Sequence, residues 1–498
     1  MKKASSFIKN NWYYLLLIIP LVNIFIVNRH STNDIWFLLN NGRYVLNHGI
    51  PYVEPFTIHE GLNYVMQQWL SSVIFYFIYH KLGGYGLLTF TLLFSLVIMI
   101  VYYKLCYLVS KNKLLSVIIT VIVFTFSRKY FVFRPQIFTY IIFILELLCM
   151  EKHIKNDNGK YLIWMPILSL LLINLHASMW LLQFVFMLPI LCNSIFIKNI
   201  TVDKIKFKPL LFAVIGMAVV GFINPYGYKA ITFVFNSYNI SEINELVNEM
   251  MPLTIEGRTG KLVILSLLGT IVLCNYYKKN RLDVRHYLLL CGTALLAFMH
   301  DKCAILFMLY DGYAVSYLLK DLKIKNIKNK YFVAVKRGIV FSSSVFLIIT
   351  LVYSAIILYI NYDFKSVSIV ELTDYILDNY DNDKVILFTD YEYGGYTEFM
   401  GLKSYMDPRA EVFHDKLNKK ENILAEALKL EKADDEYYSE FVKKYNFTHI
   451  VVNNYLYNFI NYLKSDDNYV LEYEQKTQDG EISFVSDYLF VRKDISIK

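Results

Sequence analysis

Charge is scarce in this chain. Only 18% of its 498 residues are Asp, Glu, Lys or Arg, whereas 56% are hydrophobic and 17% aromatic. That balance excludes an ordinary soluble domain and points to a bilayer. Cysteine is scarcer still: six are scattered mostly through apolar runs, with neither a paired framework nor metal-ligand spacing, so they read as packing residues. No His-x-x-x-His pair supports a zinc site. No P-loop or GxGxxG stands between a strand and a helix, and Gly394-Gly395 does not supply one, which argues against a nucleotide-sugar donor. Internal repeats, low-complexity tracts and a Ser- or Pro-rich linker are missing too.

What is present is apolar sequence in blocks. Residues 12–27, 85–109, 114–126, 137–150, 161–173, 179–197, 209–223, 262–277, 287–299, 303–319 and 338–360 form eleven candidate membrane spans. Several fall short of the roughly 20 residues that cross a bilayer unaided, so they must recruit flanking residues or sit inside a bundle. Residues 67–82 are apolar as well, but Ser71, Ser72, His80 and Lys81 suggest a helix lying at a surface. Lys2, Lys3 and Lys9 precede the first run as in a signal peptide. No small-residue cleavage site follows Val27, so the segment reads as a retained anchor.

With the N-terminus cytoplasmic, the inner loops carry roughly two dozen Lys and Arg against roughly ten outside, as the positive-inside rule requires. Lys111/Lys113, Lys152/Lys155/Lys160, Lys198/Lys204/Lys206/Lys208 and Lys278/Lys279/Arg281/Arg285 are the inner clusters. Eleven spans deliver the tail outside, where the charge balance changes sign: 27 acids against 16 bases from Tyr362 onward. The tail alternates helices (366–379, 422–432, 437–444) with strands (384–389, 449–453, 469–473, 483–492) around a turn at Gly394-Gly395. The expected fold is a polytopic α-helical membrane bundle of about eleven spans over residues 1–361, with a first outer loop at 28–84. An extracytoplasmic small α/β domain follows over residues 362–498. The expected location is the cell membrane, multi-pass.

On this topology the unusual polar residues gather outside: Asp34 and Glu54, Arg134 and Gln136, Asn174 and His176, Asn224 and Tyr226, His300 and Lys302. Ionisable groups at span ends cost free energy unless paired or wetted, so their gathering implies an aqueous cavity for an amphiphilic substrate, with Trp36 and Trp69 among its residues. Asp34 opens an amphipathic helical pattern over residues 35–46. It can cap that helix, or remove a proton from an acceptor hydroxyl, or do both. Glu54, between Pro51 and Pro55, either orients the acceptor or is a charged residue of a stiffened loop. Arg134, His300 and Lys302 can donate to a phosphate at headgroup depth, with ordinary lipid headgroups the competing partner. His176 reads more readily as a hydrogen-bonded interfacial residue than as a catalyst. In the tail, Asp390 follows one strand, and Asp407 with Arg409 follows another, where loops commonly carry ligand contacts.

Taken in order, these residues resemble the bacterial GT-C-type integral-membrane glycosyltransferases, the group similar to protein O-mannosyltransferases and lipid-A aminosugar transferases. The likeness rests on an Asp soon after the first span followed by Trp36, Gly42, Ile50-Pro51, Glu54-Pro55-Phe56, Gly61 and Gln68-Trp69-Leu70. It continues through Arg134-Pro135-Gln136, Asn174-Leu175-His176, Asn224-Pro225-Tyr226-Gly227 and Tyr405-Met406-Asp407-Pro408-Arg409. The resemblance implies a polyprenyl-phosphate sugar as donor and an acidic base in the first outer loop, which falls on Asp34. Asn33 before it and Ile35 after it depart from the paired acidic motif of similar chains, which argues against a divalent-cation requirement.

The expected function is inverting transfer of a sugar from a lipid-linked donor to a glycan, lipid or protein acceptor at the outer face. No cofactor and no nucleic-acid partner is expected. Two other readings stay open at this point: a transporter or flippase of lipid-linked saccharides, which calls for polar residues on both faces, and a non-catalytic envelope assembly protein working through its tail.

Overall fold

The apolar runs fold as helices that stop where the sequence inserts Asn, Gly or Pro. Asn112 caps Lys113–Phe126 by accepting from the Leu115 amide at 3.1 Å. Pro135 immediately precedes Gln136–Asn156, and Asp157 ends that helix in the left-handed region. Asp283 and His286 form a reciprocal cap on Val284–Met299. The computed structural model describes residues 12–28, 32–195, 205–237, 240, 242–243, 250–277, 280–322, 330–360, 362, 364, 369–479 and 482–498. The expectations placed on Lys2, Lys3, Lys9, Lys198, Lys204, Lys278 and Lys279 and on residues 366–368 lie outside these.

The chain forms two compact units. The first comprises Met1–Arg29, Gly84–Gly227 and Asn248–Tyr362; the second comprises His30–Gly83, Tyr228–Val247 and Asp363–Lys498. The division falls inside the long helix Trp69–Ser110, where Gly83 takes a positive φ of 63°. Only glycine adopts that geometry at little cost, so the 67–82 stretch is a helix of its own and the span begins after it.

The first unit is helical. Three of its helical segments are long and apolar enough to cross a membrane: the one within Trp69–Ser110, Ala177–Ile195 and Arg258–Tyr276. The expected eleven spans are therefore corrected to three clear candidates among the described residues. The reason is length. Trp12–Val27, Lys113–Phe126, Gly159–Leu175, Phe207–Val220, Val284–Met299 and Ser344–Ile360 are apolar but shorter. The 14 residues of Lys113–Phe126 rise only about 21 Å, against a hydrocarbon core of about 30 Å. Phe212, Leu265, Leu295 and Phe346 are each more than half exposed, as side chains facing lipid are. Composition and helices together mark a membrane protein. Inside this unit Met150, Met165, Met187, Ile190, Leu210 and Met217 form a buried cluster. The nearby Ser169 hydroxyl accepts from Trp180 at 2.8 Å and Gln183 at 2.9 Å while donating to the Met217 carbonyl. Polar groups are thus paired where water is excluded.

The second unit carries a five-stranded sheet of β1 (Ile386–Phe388), β2 (Lys403–Ser404), β3 (His449–Asn453), β4 (Tyr469–Asp479) and β5 (Ile482–Arg492), in the order β2-β1-β3-β5-β4. β1 runs parallel to β2 and β3, while β5 pairs antiparallel with β3 and β4. Central β3 is buried over four of its five residues, in keeping with the unbroken apolar run Ile450-Val451-Val452 at its middle. Phe388 of β1 packs against Tyr405, Phe441, Phe447 and Phe459 at centroid distances of 5.5 to 5.7 Å.

The helices expected at 366–379, 422–432 and 437–444 are present as Ile369–Asn379, Ile423–Lys429 and Asp435–Tyr445. The turn expected at Gly394-Gly395 is instead the helix Gly394–Phe399. Its glycines serve close approach: a Cβ on Gly394 would lie 1.8 Å from the Met406 carbonyl oxygen. Residues 30–83 fold into this same unit. Thr57 bridges in parallel to Ser404 of β2, and the Ile58 amide donates to the Ser404 carbonyl at 3.0 Å.

Candidate active site

Around Glu54 the chain doubles back. Pro51 and Pro55 limit it, Gly61 turns it at φ +70°, and amide-to-carbonyl bonds run from Glu54 to Leu62 and from Tyr64 to Tyr52. This local hairpin presents the Glu54 carboxylate inward, 4% exposed. Its Oε1 accepts from the Phe56 amide at 2.9 Å and from Arg409 Nη2 at 2.8 Å. Oε2 accepts from the Thr57 amide at 3.0 Å and hydroxyl at 2.7 Å. Arg409 also pairs with Asp407, Nε lying 2.9 and 2.7 Å from its two oxygens, and approaches Glu398 Oε2 at 3.6 Å. The guanidinium sits between the Phe56 and Tyr64 rings, 5.0 and 5.1 Å from their centroids.

Three carboxyl groups thus meet one buried cation. Burial, then the Asp407 carboxylate, push Glu398 well above the usual carboxylate range. The Asp407, Tyr64, Glu54 and Glu398 groups more than offset burial at Arg409 and raise it well above its ordinary value. Burial lifts Tyr64 to about 12. Sequence reasoning singled out Glu54, Asp407 and Arg409 separately; the structure brings them together. It missed Glu398 and Tyr64, whose only signal was a nearby Gly-Gly pair and a hydrophobic flank.

Asp34 is the first residue of Asp34–His48. The cap position belongs to Asn33, which makes no side-chain cap bond. A carboxylate in the first turn is favoured by the helix dipole. Its neighbourhood is acidic and phenolic. Burial, then Asp34, Glu411 and Glu392, raise Tyr391 well above its ordinary value, and its hydroxyl donates to the Pro408 carbonyl at 2.8 Å. Asn33 donates to Glu392 at 2.8 Å. Beside them Asp390, pushed to about 7 by burial and then by Glu392 and Asp487, accepts from the amides of Glu392 and Tyr393. Asp487 in turn accepts from Tyr393 at 2.9 Å and Asn453 at 3.0 Å.

Trp36, expected in a cavity wall, is a core residue at 1% exposure. Its ring meets Tyr79, Phe364, Tyr396 and Phe399. Trp69 is half-buried at the start of its helix.

The remaining candidates lie in the first unit. His176 is buried, with Nδ1 2.7 Å from the Thr139 hydroxyl. Burial and then the Lys302 ammonium hold it neutral at about 3, which sets His176 and Lys302 within electrostatic reach of each other. Gln136 opens the helix that carries Thr139. Asn174 donates to the Ile223 carbonyl at 3.0 Å, joining its corner to that of Asn224, whose oxygen accepts from the Tyr226 amide at 2.9 Å. These two Asn residues serve the backbone. His300 lies 2.7 Å from the Met250 carbonyl through Nδ1, and Lys302 and Arg134 are half-buried. The neighbouring Asp301 pairs with Lys129 at 2.7 Å. Among the described residues no cluster of three or more His, Cys, Asp or Glu could hold a metal ion.

The arrangement of helical spans and a small sheet is one shared with solved membrane-enzyme structures. The chain is similar to the oligosaccharyltransferase of Archaeoglobus fulgidus in its apo form, with a TM-score of 0.57 and 11% identity over 89% of this chain and 69% of that one. It is also similar to the same enzyme tethered to an acceptor peptide containing the NVT sequon, with a TM-score of 0.54 and 11% identity over 97% and 74% of the two chains. No protein-family model and no curated protein matches the sequence. At this identity the likeness establishes the fold.

Proposed function

We propose that this chain is a membrane glycosyltransferase that moves a sugar from a polyprenyl-phosphate donor to an envelope acceptor at the outer face of the cell membrane. The likeness to oligosaccharyltransferase over nearly the whole chain carries this reading. In it, Asp34 takes the acceptor's proton while the acceptor oxygen bonds to the anomeric carbon with inversion. The carbon–phosphate oxygen bond breaks, and its electron pair leaves with the polyprenyl phosphate. Arg134, His300 and Lys302, carried by the first unit, supply donors suited to a lipid phosphate. His176 stays neutral under burial and the influence of the Lys302 ammonium. Glu54, bonded to Arg409 and Thr57, braces the first outer loop.

The test is transfer from a defined lipid-linked donor by the Asp34→Asn protein. Loss of about a hundredfold or more is expected, with thermal unfolding unchanged. Undiminished transfer removes Asp34 as the base. Glycan and glycolipid mass analysis of a deletion strain identifies the acceptor.

A further inference from the structure

Within the second unit a cleft of about 250 Å³ opens beside the buried Glu54–Arg409 cluster. The end of Asp34–His48 lines it with Arg43, Tyr44, Asn47 and His48, and Phe56 and Lys403 face them. Arg43 is the unexplained group. Its guanidinium is half-buried, yet Nη2 meets only neutral acceptors, Asn40 Oδ1 at 2.7 Å and the Glu398 carbonyl at 3.5 Å, while the Phe399 ring lies 4.7 Å away. Among the described residues no carboxylate forms an ion pair with it, and burial lowers its pKa. Glu398 lines the same cleft, but its carboxyl is turned to Ser404 and Arg409 and it meets Arg43 only through its backbone carbonyl. Lys403 adds a second, exposed cation.

A partly buried cation without an anion is costly, and an incoming anion relieves that cost. The rest of the wall specifies what carries the anion. Tyr44 stacks on His48 at 4.7 Å and meets the edge of Phe56 at 5.5 Å, giving apolar faces for the C–H side of a sugar ring. The Asn47 amide offers both a donor and an acceptor to hydroxyls. The volume is below the roughly 300–1,000 Å³ typical of drug-sized ligands, which suits one sugar unit rather than a chain.

We propose that this cleft binds an acidic sugar unit, a hexose bearing one carboxylate or one phosphate, with Arg43 and Lys403 on the anion and Tyr44 and Phe56 against the ring. The site is separate from Asp34: Arg43 lies nine residues along the same helix, about 13 Å at 1.5 Å per residue. Binding here therefore does not depend on the transfer reading.

The experiment is calorimetric titration of the full-length protein in detergent with glucuronate, glucose 6-phosphate, glucose and inorganic phosphate. At least one acidic sugar binds about tenfold or more tightly than glucose and than inorganic phosphate, and the tighter of the two acidic sugars identifies the anion. Arg43→Gln abolishes this binding, and Lys403→Gln, at an exposed position that leaves folding intact, weakens it severalfold. Equal binding of glucose, equal binding of bare phosphate, or undiminished binding by Lys403→Gln and Arg43→Gln overturns the proposal.

Discussion

Arg409 is the residue on which the second unit's buried charge turns. Its guanidinium is the shared partner of Glu54 and Asp407, both nearly inaccessible to water. Removing one partner of a buried pair leaves the other charge stranded at a cost of about 3–5 kcal/mol. Arg409→Met should therefore destabilise by about that much in thermal or denaturant unfolding, since it strands two carboxylates. Glu54→Gln, which keeps the Asp407 pair and a hydrogen-bonding oxygen, should cost less, about 1–3 kcal/mol. Equal losses would show that the guanidinium is not the shared anchor. Asp390 gives a second residue-scale expectation, this time in pH. Its folded pKa of about 7 stands above the ordinary 3.8, so the native state keeps a proton that the unfolded chain gives up. Stability is then fullest below about pH 4 and falls as pH rises towards about 7. Asp390→Asn should flatten that slope, matching the parent Tm near pH 4 and exceeding it at pH 8. A parent Tm that does not fall across the window would refute the assignment.

Two glycines decide element boundaries for different reasons, and they separate in experiment. Gly83 has open space where a Cβ would stand but a φ of 63° with ψ −161°, so Gly83→Ala meets only the backbone penalty of a region essentially confined to glycine, about 1–3 kcal/mol. Gly394 has ordinary φ but a carbonyl oxygen 1.8 Å from any added Cβ; Gly394→Ala forces the helix off the Tyr405–Arg409 segment and should cost more. A larger loss at Gly83 in the same unfolding assay would contradict this. The contrast also explains what the sequence could reveal. β3 was legible because a strand buried on both faces is a continuous apolar run. Gly394-Gly395 read as a turn because local chemistry favours one there, whereas the contact that requires glycine comes from Met406, twelve residues on. The spans were over-counted because apolar runs such as 114–126 and 161–173 pass for spans by composition although their helices are too short to cross a bilayer unaided. Glu54, Asp407 and Arg409 stood out individually. Their grouping did not, since the Glu54–Arg409 bond joins residues 355 apart. Arg43 was hidden because a basic residue on an amphipathic helix reads as solvated.

At the scale of the whole molecule, the second unit is assembled from three stretches of chain that the first unit interrupts. Residues 30–83 bring Trp36, Glu54 and Thr57; the tail brings Tyr396, Phe399, Ser404 and Arg409 to meet them. Neither stretch buries these groups alone. Without the tail, Trp36 loses the rings of Phe364, Tyr396 and Phe399, a large apolar surface at about 25 cal/mol per Å². Glu54 loses the Arg409 guanidinium and Thr57 its bridge to the sheet. A chain ending at Tyr362 should therefore keep its helical membrane unit while residues 30–83 open. Under limited proteolysis of membrane-embedded protein, the 51–64 hairpin should be cut only slowly in the full chain and many-fold faster in the shortened one. The far-ultraviolet helix signal of the first unit should persist in both. Equal protection of the hairpin in the two chains would mean that it holds its fold without Arg409. Asp34 would then owe its placement to its own short segment rather than to the unit the tail completes.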